Sequence, residues 1–155
     1  LPLPRASREL LTIAGELGQP AVASPRALSD EEIRDIRARV ELAKELRPIV
    51  QLGDLYRLVS PYTGPDCALL YIHGRDALLL AYTTQRVYTD QHTRIPLHGL
   101  NPNTRYRIEE TAPDSTGYHC PLQGQTLGGD ALLASGIPIR WTHPQQSCIL
   151  RLWEV

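Results

Sequence analysis

A capped helix that leads directly into a strand constrains this 155-residue chain more than any other feature. Ser29, followed three residues later by Glu32, forms the capping-box pattern that begins a helix. Apolar residues then recur at steps of three and four, which gives the predicted helix one apolar face. We expect the helix to break at Pro48 and to end at Gly53. The apolar positions are Ile33, Ile36, Val40, Ala43 and Leu46.

Short apolar runs bounded by Gly, Pro, Asp or Asn fill the chain after this helix. In one of them, Tyr106 and Ile108 alternate with charged residues, as in a strand with one buried face. The stretch from His73 to Asp76 is predicted to be a hairpin turn, residues 113–121 a loop, and residues 124–129 a loop or bulge. Regular short strands with turn signals predict an antiparallel β-sandwich. The predicted strands are Leu55–Val59, Ala68–His73, Ala77–Thr84, Arg105–Glu110 and Cys148–Glu154.

The sequence before Ser29 predicts less. Residues 5–16 are read as a short helix, and residues 20–25 as a short strand or a linker. The chain begins with Leu1 and contains no Met, so we expect it to be an internal or processed piece of a longer protein.

Charge and hydropathy exclude two classes of partner. The formal net charge is −1 and no basic stripe is present, which argues against nucleic acid and against anionic membranes. No apolar run approaches the roughly 20 residues that span a bilayer. We therefore expect a protein that binds neither nucleic acid nor membrane.

The cysteines and histidines do not predict a metal or cofactor site. Cys67, Cys120 and Cys148 are widely spaced and form no Cys-x-x-Cys motif. We expect buried reduced thiols, which fit a cytoplasmic protein, and keep one disulfide plus one thiol as the alternative. The histidines are scattered and are expected to lie on the surface or in turns, so the sequence implies no metal ligands and no cofactor. They are His73, His92, His98, His119 and His143.

Several ordered motifs run through the chain. They are Lys44 to Gly53, Tyr56-Arg57-Leu58-Val59-Ser60-Pro61, Gly99-Leu100-Asn101-Pro102, Tyr106-Arg107-Ile108 and Gly129 to Ile137. In this order they resemble the junction between the catalytic barrel and the C-terminal β-domain of glycoside hydrolase family 36, the large retaining α-galactosidases. The resemblance implies that residues 1–50 are the C-terminal helical end of a truncated (β/α)8 barrel and that residues 51–155 form the β-sandwich.

The resemblance implies a parent that hydrolyses terminal α-galactosyl residues through two aspartates. In the family, the nucleophile lies in a Lys-Trp-Asp motif, but the one lysine here, Lys44, is followed by Glu45 and Leu46. A retaining enzyme also needs two carboxylates about 5–5.5 Å apart. The pairs Glu31–Glu32 and Glu109–Glu110 are read as a helix start and a strand end. We therefore expect no catalytic or substrate-binding residue in this chain, and no activity from it alone.

Three residues stand out at the predicted domain junction. Tyr56 and Arg57 could stack on a sugar or hydrogen-bond to it, but we favour a structural role in which Arg57 pairs across the junction. Arg47 belongs to the same junction motif.

The implied partner is the catalytic barrel upstream, with a homo-oligomer as a further possibility. An α-galactoside substrate is implied only for the full-length parent. Two alternatives remain open: a stand-alone carbohydrate-binding module, which predicts a row of exposed aromatic side chains on one sheet face, and a subunit-interaction module without a ligand.

Overall fold

The computed structural model describes residues 29–84, 92–111 and 117–155, except for the side chain of His92. The chain divides into two compact units, Leu1–Pro48 and Ile49–Val155. The elements, in order, are α1 (Asp30–Leu52), β1 (Asp54–Val59), β2 (Asp66–His73), β3 (Asp76–Thr83), β4 (His92–Ile95), β5 (Arg105–Thr111), β6 (Thr126–Gly128), α2 (Gly129–Ser135), β7 (Ile137–Arg140) and β8 (Ser147–Glu154).

Helix α1 begins as the sequence predicts. The Ser29 hydroxyl accepts the Glu32 backbone N–H at 3.2 Å, and the Glu32 carboxylate accepts the Ser29 backbone N–H at 2.9 Å, which completes the capping box. The predicted break at Pro48 is wrong, because α1 continues through it to Leu52. A proline lacks the backbone N–H that would donate to the previous turn, but the helix continues after Pro48, and the Gly53 N–H donates to the Ile49 carbonyl at 3.1 Å.

The strands of the second unit form two sheets. Six of them lie in the order β1-β2-β3-β8-β5-β6, and β4 pairs with β7. Every pairing is antiparallel. The predicted hairpin is confirmed, with His73 opposite Asp76 and Gly74 at φ 59°. The architecture is therefore mainly antiparallel β with an N-terminal helix, which confirms the predicted fold class.

The hydrophobic core lies on one face of the six-stranded sheet. Leu70, Leu79, Leu150 and Glu110 are successive cross-strand partners, and partners in an antiparallel sheet point to the same side. The three leucines are fully buried in the core, which also contains residues of the small sheet and of α2. Those residues are Ile95, Ile137, Ile139 and Leu132.

The five predicted strands are all present, with bounds within two residues of those expected. Residues 124–129 were expected to be a loop or bulge; Gly124 and Gln125 do lie outside any helix or strand, but Thr126–Gly128 forms a strand that pairs with β5 and Gly129 begins α2. Strands β4 and β7 were also not predicted. The helix expected over residues 5–16, the segment 20–25 and part of the loop expected over 113–121 lie outside the described residues. Within the described chain, α1 and α2 lack the combination of length and apolar character that crossing a bilayer demands.

Candidate functional site

The junction motif and the Gly-Leu-Asn-Pro turn meet in the structure. Gly99 has φ 82°, a conformation that side chains rarely adopt. A Cβ at Gly99 would also overlap the Tyr56 ring. Tyr56 is half-buried and packs against the core. Residues of two motifs that lie 43 positions apart in the numbering (99 − 56) therefore form one close contact.

A second contact joins the same turn to β5 and α2. The Asn101 backbone N–H donates to the Tyr106 hydroxyl at 3.0 Å, and that hydroxyl donates to Glu154 Oε1 at 3.4 Å. Burial raises the pKa of the Tyr106 hydroxyl, and the Glu154 carboxylate adds to the shift. A Cβ at Gly129 would overlap the Asn101 carbonyl oxygen, so α2 can begin here only with glycine. Residues from three of these motifs thus pack and hydrogen-bond with one another within the second unit.

The two arginines of the predicted domain junction are exposed. Arg47 lies on α1, and Arg57 lies in β1 beside Tyr56. Of the three junction residues, Tyr56 has a structural contact that explains it, and the interdomain role of Arg47 and Arg57 stays a prediction.

A buried polar cluster lies at the other end of β5, and the sequence did not predict it. The side chains of Glu110 and His119 are each 1% exposed, and His119 Nδ1 lies 2.8 Å from Glu110 Oε1. The other carboxylate oxygen, Oε2, accepts the backbone N–H groups of His119 at 2.7 Å and of Cys120 at 3.0 Å. His119 was expected to lie on the surface or in a turn; it does lie at a bend between strands, but the expectation of a surface position is wrong, because its side chain is buried.

The Glu110 carboxylate is held by its own strand and by the following segment. Tyr106, Ile108 and Glu110 alternate toward the core, so the period of the strand turns this carboxylate inward. The Gln123 side-chain oxygen accepts the Glu110 backbone N–H. The His119 ring lies 5.9 Å from the Trp141 ring, centroid to centroid. A buried carboxylate needs such partners, because leaving it without them costs several kcal/mol, of order 3–5.

Two thiols adjoin this cluster. Cys148 contributes its sulfur to a group with Glu110 and His119 in which one ligand atom from each residue lies within 4.8 Å of the others. Burial raises the pKa of the Cys120 thiol to about 11, so this thiol stays protonated near neutrality. All three cysteines of the chain are free and buried in this structure, which confirms the expected burial.

The carboxylate pairs found in the sequence do not have the geometry of a glycosidase dyad. Glu109 and Glu110 are adjacent in β5 and point to opposite faces of the sheet. The Glu32 carboxylate accepts the Ser29 backbone N–H in the helix cap, and the neighbouring Glu31 is exposed. Among the described residues, Glu110 is the one carboxylate counted as buried, and its oxygens accept hydrogen bonds from the protein.

Aromatic side chains in the described chain do not form an exposed row. Tyr62 is 97% exposed and Tyr118 is 58% exposed, and they lie in separate loops. On the sheet, Tyr71 and Trp153 are half-buried, and the Arg151 guanidinium lies 5.8 Å from the Trp153 ring centroid. The feature expected of a carbohydrate-binding module is thus not found in this part of the chain.

Comparison with known proteins assigns the class. The family model described as "Glycosyl hydrolase family 36 C-terminal domain" matches residues 66–152, which is more than half of the chain. The chain therefore belongs to the glycosyl hydrolase family 36 C-terminal domain family, as its motifs suggested.

The relatives it resembles are α-galactosidases. It is 28% identical over 132 residues to α-galactosidase AgaA of Geobacillus stearothermophilus, which covers 83% of this chain and 16% of that protein. It is 26% identical over 104 residues to α-galactosidase 1 of Pediococcus pentosaceus, which covers 66% of this chain and 14% of that protein. The crystal structure of AgaA superposes with a TM-score of 0.69 at 25% identity and covers 83% of this chain. The chain spans about a sixth of the length of these relatives.

Proposed function

We propose that this chain is a non-catalytic structural domain at the C-terminal end of an α-galactosidase-like glycoside hydrolase. The observation that carries the proposal is the match to the family's C-terminal domain over residues 66–152, combined with a span of about a sixth of the relatives' length. The polar groups within the second unit are consistent with it. Glu110 binds its own neighbours, and Tyr106 closes a turn.

The proposed domain division is that of the longer α-galactosidase-like protein of which this chain would be a part. Residues 1–50 would be the helical end of a (β/α)8 barrel, and residues 51–155 would be the β-sandwich that follows it. Arg47, Tyr56 and Arg57 would then lie at the junction between the two. The packing of Tyr56 against Gly99 supports a structural role for this tyrosine rather than contact with a sugar.

The proposed partner is the catalytic barrel of the same longer protein, whose substrate would be an α-linked galactoside. Exposed apolar side chains support a further interface in the parent: Ile36 is 46% exposed and Leu52 is 70% exposed. In the parent, each of these two side chains would contact another protein surface, either the barrel or a second subunit. The buried thiols support a reducing, cytoplasmic location.

Hydrolysis of an aryl α-galactoside by the purified 155-residue chain tests the proposal. Intact AgaA serves as the positive control, because it is a named α-galactosidase with a matching C-terminal segment. We expect no turnover above buffer from the short chain. Turnover that persists through purification and is lost in a Glu110→Gln variant would overturn the proposal, since it would make a buried structural carboxylate catalytic.

A further inference from the structure

Three metal-ligating side chains of different chemistry converge inside the β-sandwich. A carboxylate oxygen of Glu110, a ring nitrogen of His119 and the sulfur of Cys148 all lie within 4.8 Å of one another, and all three residues are buried. We propose that this cluster is a binding site for a divalent metal ion of the zinc class. The proposal concerns the sandwich alone and does not depend on the proposed function.

The register of the sheet explains why these residues meet. Glu110 lies opposite Leu150, and Cys148 precedes that leucine by two positions on the same face. Glu110 and Cys148 are thus diagonal neighbours on adjacent strands. His119 is brought to them by its own backbone, because its N–H binds Glu110 Oε2 at 2.7 Å. The three ligands are held by two strands and one anchored segment before any ion arrives.

The donor set selects the kind of ion. Oxygen, nitrogen and sulfur ligands together suit zinc, which binds thiolate, imidazole and carboxylate in tetrahedral sites. Magnesium and calcium prefer oxygen ligands alone, so they fit this set poorly. One thiolate and one carboxylate also balance the two positive charges of the ion, which matters because an unbalanced charge is costly in a buried site. Three protein ligands leave the fourth tetrahedral position to a small ligand such as water.

The proton balance of binding is fixed by the ligands. The Cys148 S–H bond breaks as the metal–sulfur bond forms, and that proton is released to solvent. Neutral His119 keeps its single ring proton on whichever nitrogen does not bind the metal, and Glu110 binds as the carboxylate. Each ion that binds neutral His119 therefore releases one proton, from the Cys148 thiol.

Cobalt(II) is the probe, because a cobalt–thiolate bond gives a charge-transfer absorption that a hydrogen-bonded cluster cannot give. The chain is unfolded with chelator, freed of metal and refolded with Co²⁺, which lets the ion reach a buried site. We expect one cobalt per chain and a near-ultraviolet sulfur-to-cobalt band that zinc abolishes. Cys148→Ser is expected to lose the band.

Cys67→Ser is the matched control. Cys67 is also a buried thiol in the same sheet, but it neighbours Ala68 along β2 and so points to the opposite face from Cys148. This variant is expected to keep the band. Absence of a band in the unsubstituted chain, or a band that Cys148→Ser keeps, would overturn the proposal and leave Glu110–His119 as a hydrogen-bonded pair only.

A second readout does not depend on the variants folding. Thermal unfolding of the unsubstituted chain is followed with excess zinc and with chelator, since a ligand that binds only the folded state raises its stability. We expect a higher unfolding midpoint with zinc than with chelator. An equal midpoint under both conditions would contradict the site.

Discussion

Removal of the Glu110 carboxylate is the most informative test of the sandwich, because three hydrogen bonds end on it. It accepts the His119 N–H at 2.7 Å, the Cys120 N–H at 3.0 Å and the contact from His119 Nδ1 at 2.8 Å. Glu110→Ala would strand two buried backbone donors at about 1–3 kcal/mol each, so we expect a loss of roughly 3–5 kcal/mol in the free energy of unfolding. That is a large fraction of the stability of a typical domain, about 5–15 kcal/mol.

The assay is chemical and thermal unfolding in the presence of chelator, so that metal does not contribute. Glu110→Gln keeps the shape and one acceptor, and should be less damaging than Glu110→Ala. The matched control is Glu109→Gln, since the neighbouring side chain is 41% exposed and should change stability by less than about 0.5 kcal/mol. A loss below about 1 kcal/mol in Glu110→Ala, or equal losses at positions 109 and 110, would refute the reasoning.

Three further predictions concern the same unit. Gly99→Ala should lower the free energy of unfolding, measured in urea, by about 2 kcal/mol or more, because Gly99 has φ 82° and the new Cβ would overlap the Tyr56 ring. Gly64→Ala, with open space around it, should be nearly neutral. Tyr106→Phe removes a hydroxyl that binds a backbone N–H, and should lower the unfolding free energy by about 1 kcal/mol in the same assay. Burial raises the pKa of the Cys120 thiol to about 11, so the folded state holds this proton more tightly than the unfolded state does. The unsubstituted chain should therefore lose stability relative to Cys120→Ala as the pH rises from about 9 toward 11. The thermal midpoints of the two proteins test this, and a midpoint of the unsubstituted chain that rises relative to the variant over this range would contradict it.

The helix cap and the five long strands were predictable because their signals are local. The Ser29–Glu32 capping box and the alternation around Tyr106 and Ile108 depend on residues only a few positions apart. Strand β6, three residues long, was not predictable, because its pairing with β5 is set by register across the sheet and the glycines in and around it are typical of a loop. Pro48 shows the opposite case: a proline is a strong local signal for a helix break, but α1 continues through it to Leu52.

The buried cluster was hidden for a similar reason. Glu110 is the inward position of a strand whose earlier inward residues are apolar, so its alternation with Glu109 could have indicated a buried carboxylate. Its partner could not be found this way. His119 lies in a segment without periodicity, and Cys148 lies on a strand separated from both by more than 25 residues of sequence (148 − 119). Side chains that meet only through the sheet register leave no spacing pattern to read.

The central claim is that this chain supplies structure and not catalysis to an α-galactosidase-like protein. The most direct measurement compares aryl α-galactoside hydrolysis by intact AgaA, by AgaA lacking the segment that matches this chain, and by a chimera in which this chain replaces that segment. We predict that the shortened protein loses activity and that the chimera regains a substantial part of it, although this chain alone has none. A shortened protein as active as intact AgaA, or a folded chimera no more active than the shortened protein, would contradict the claim.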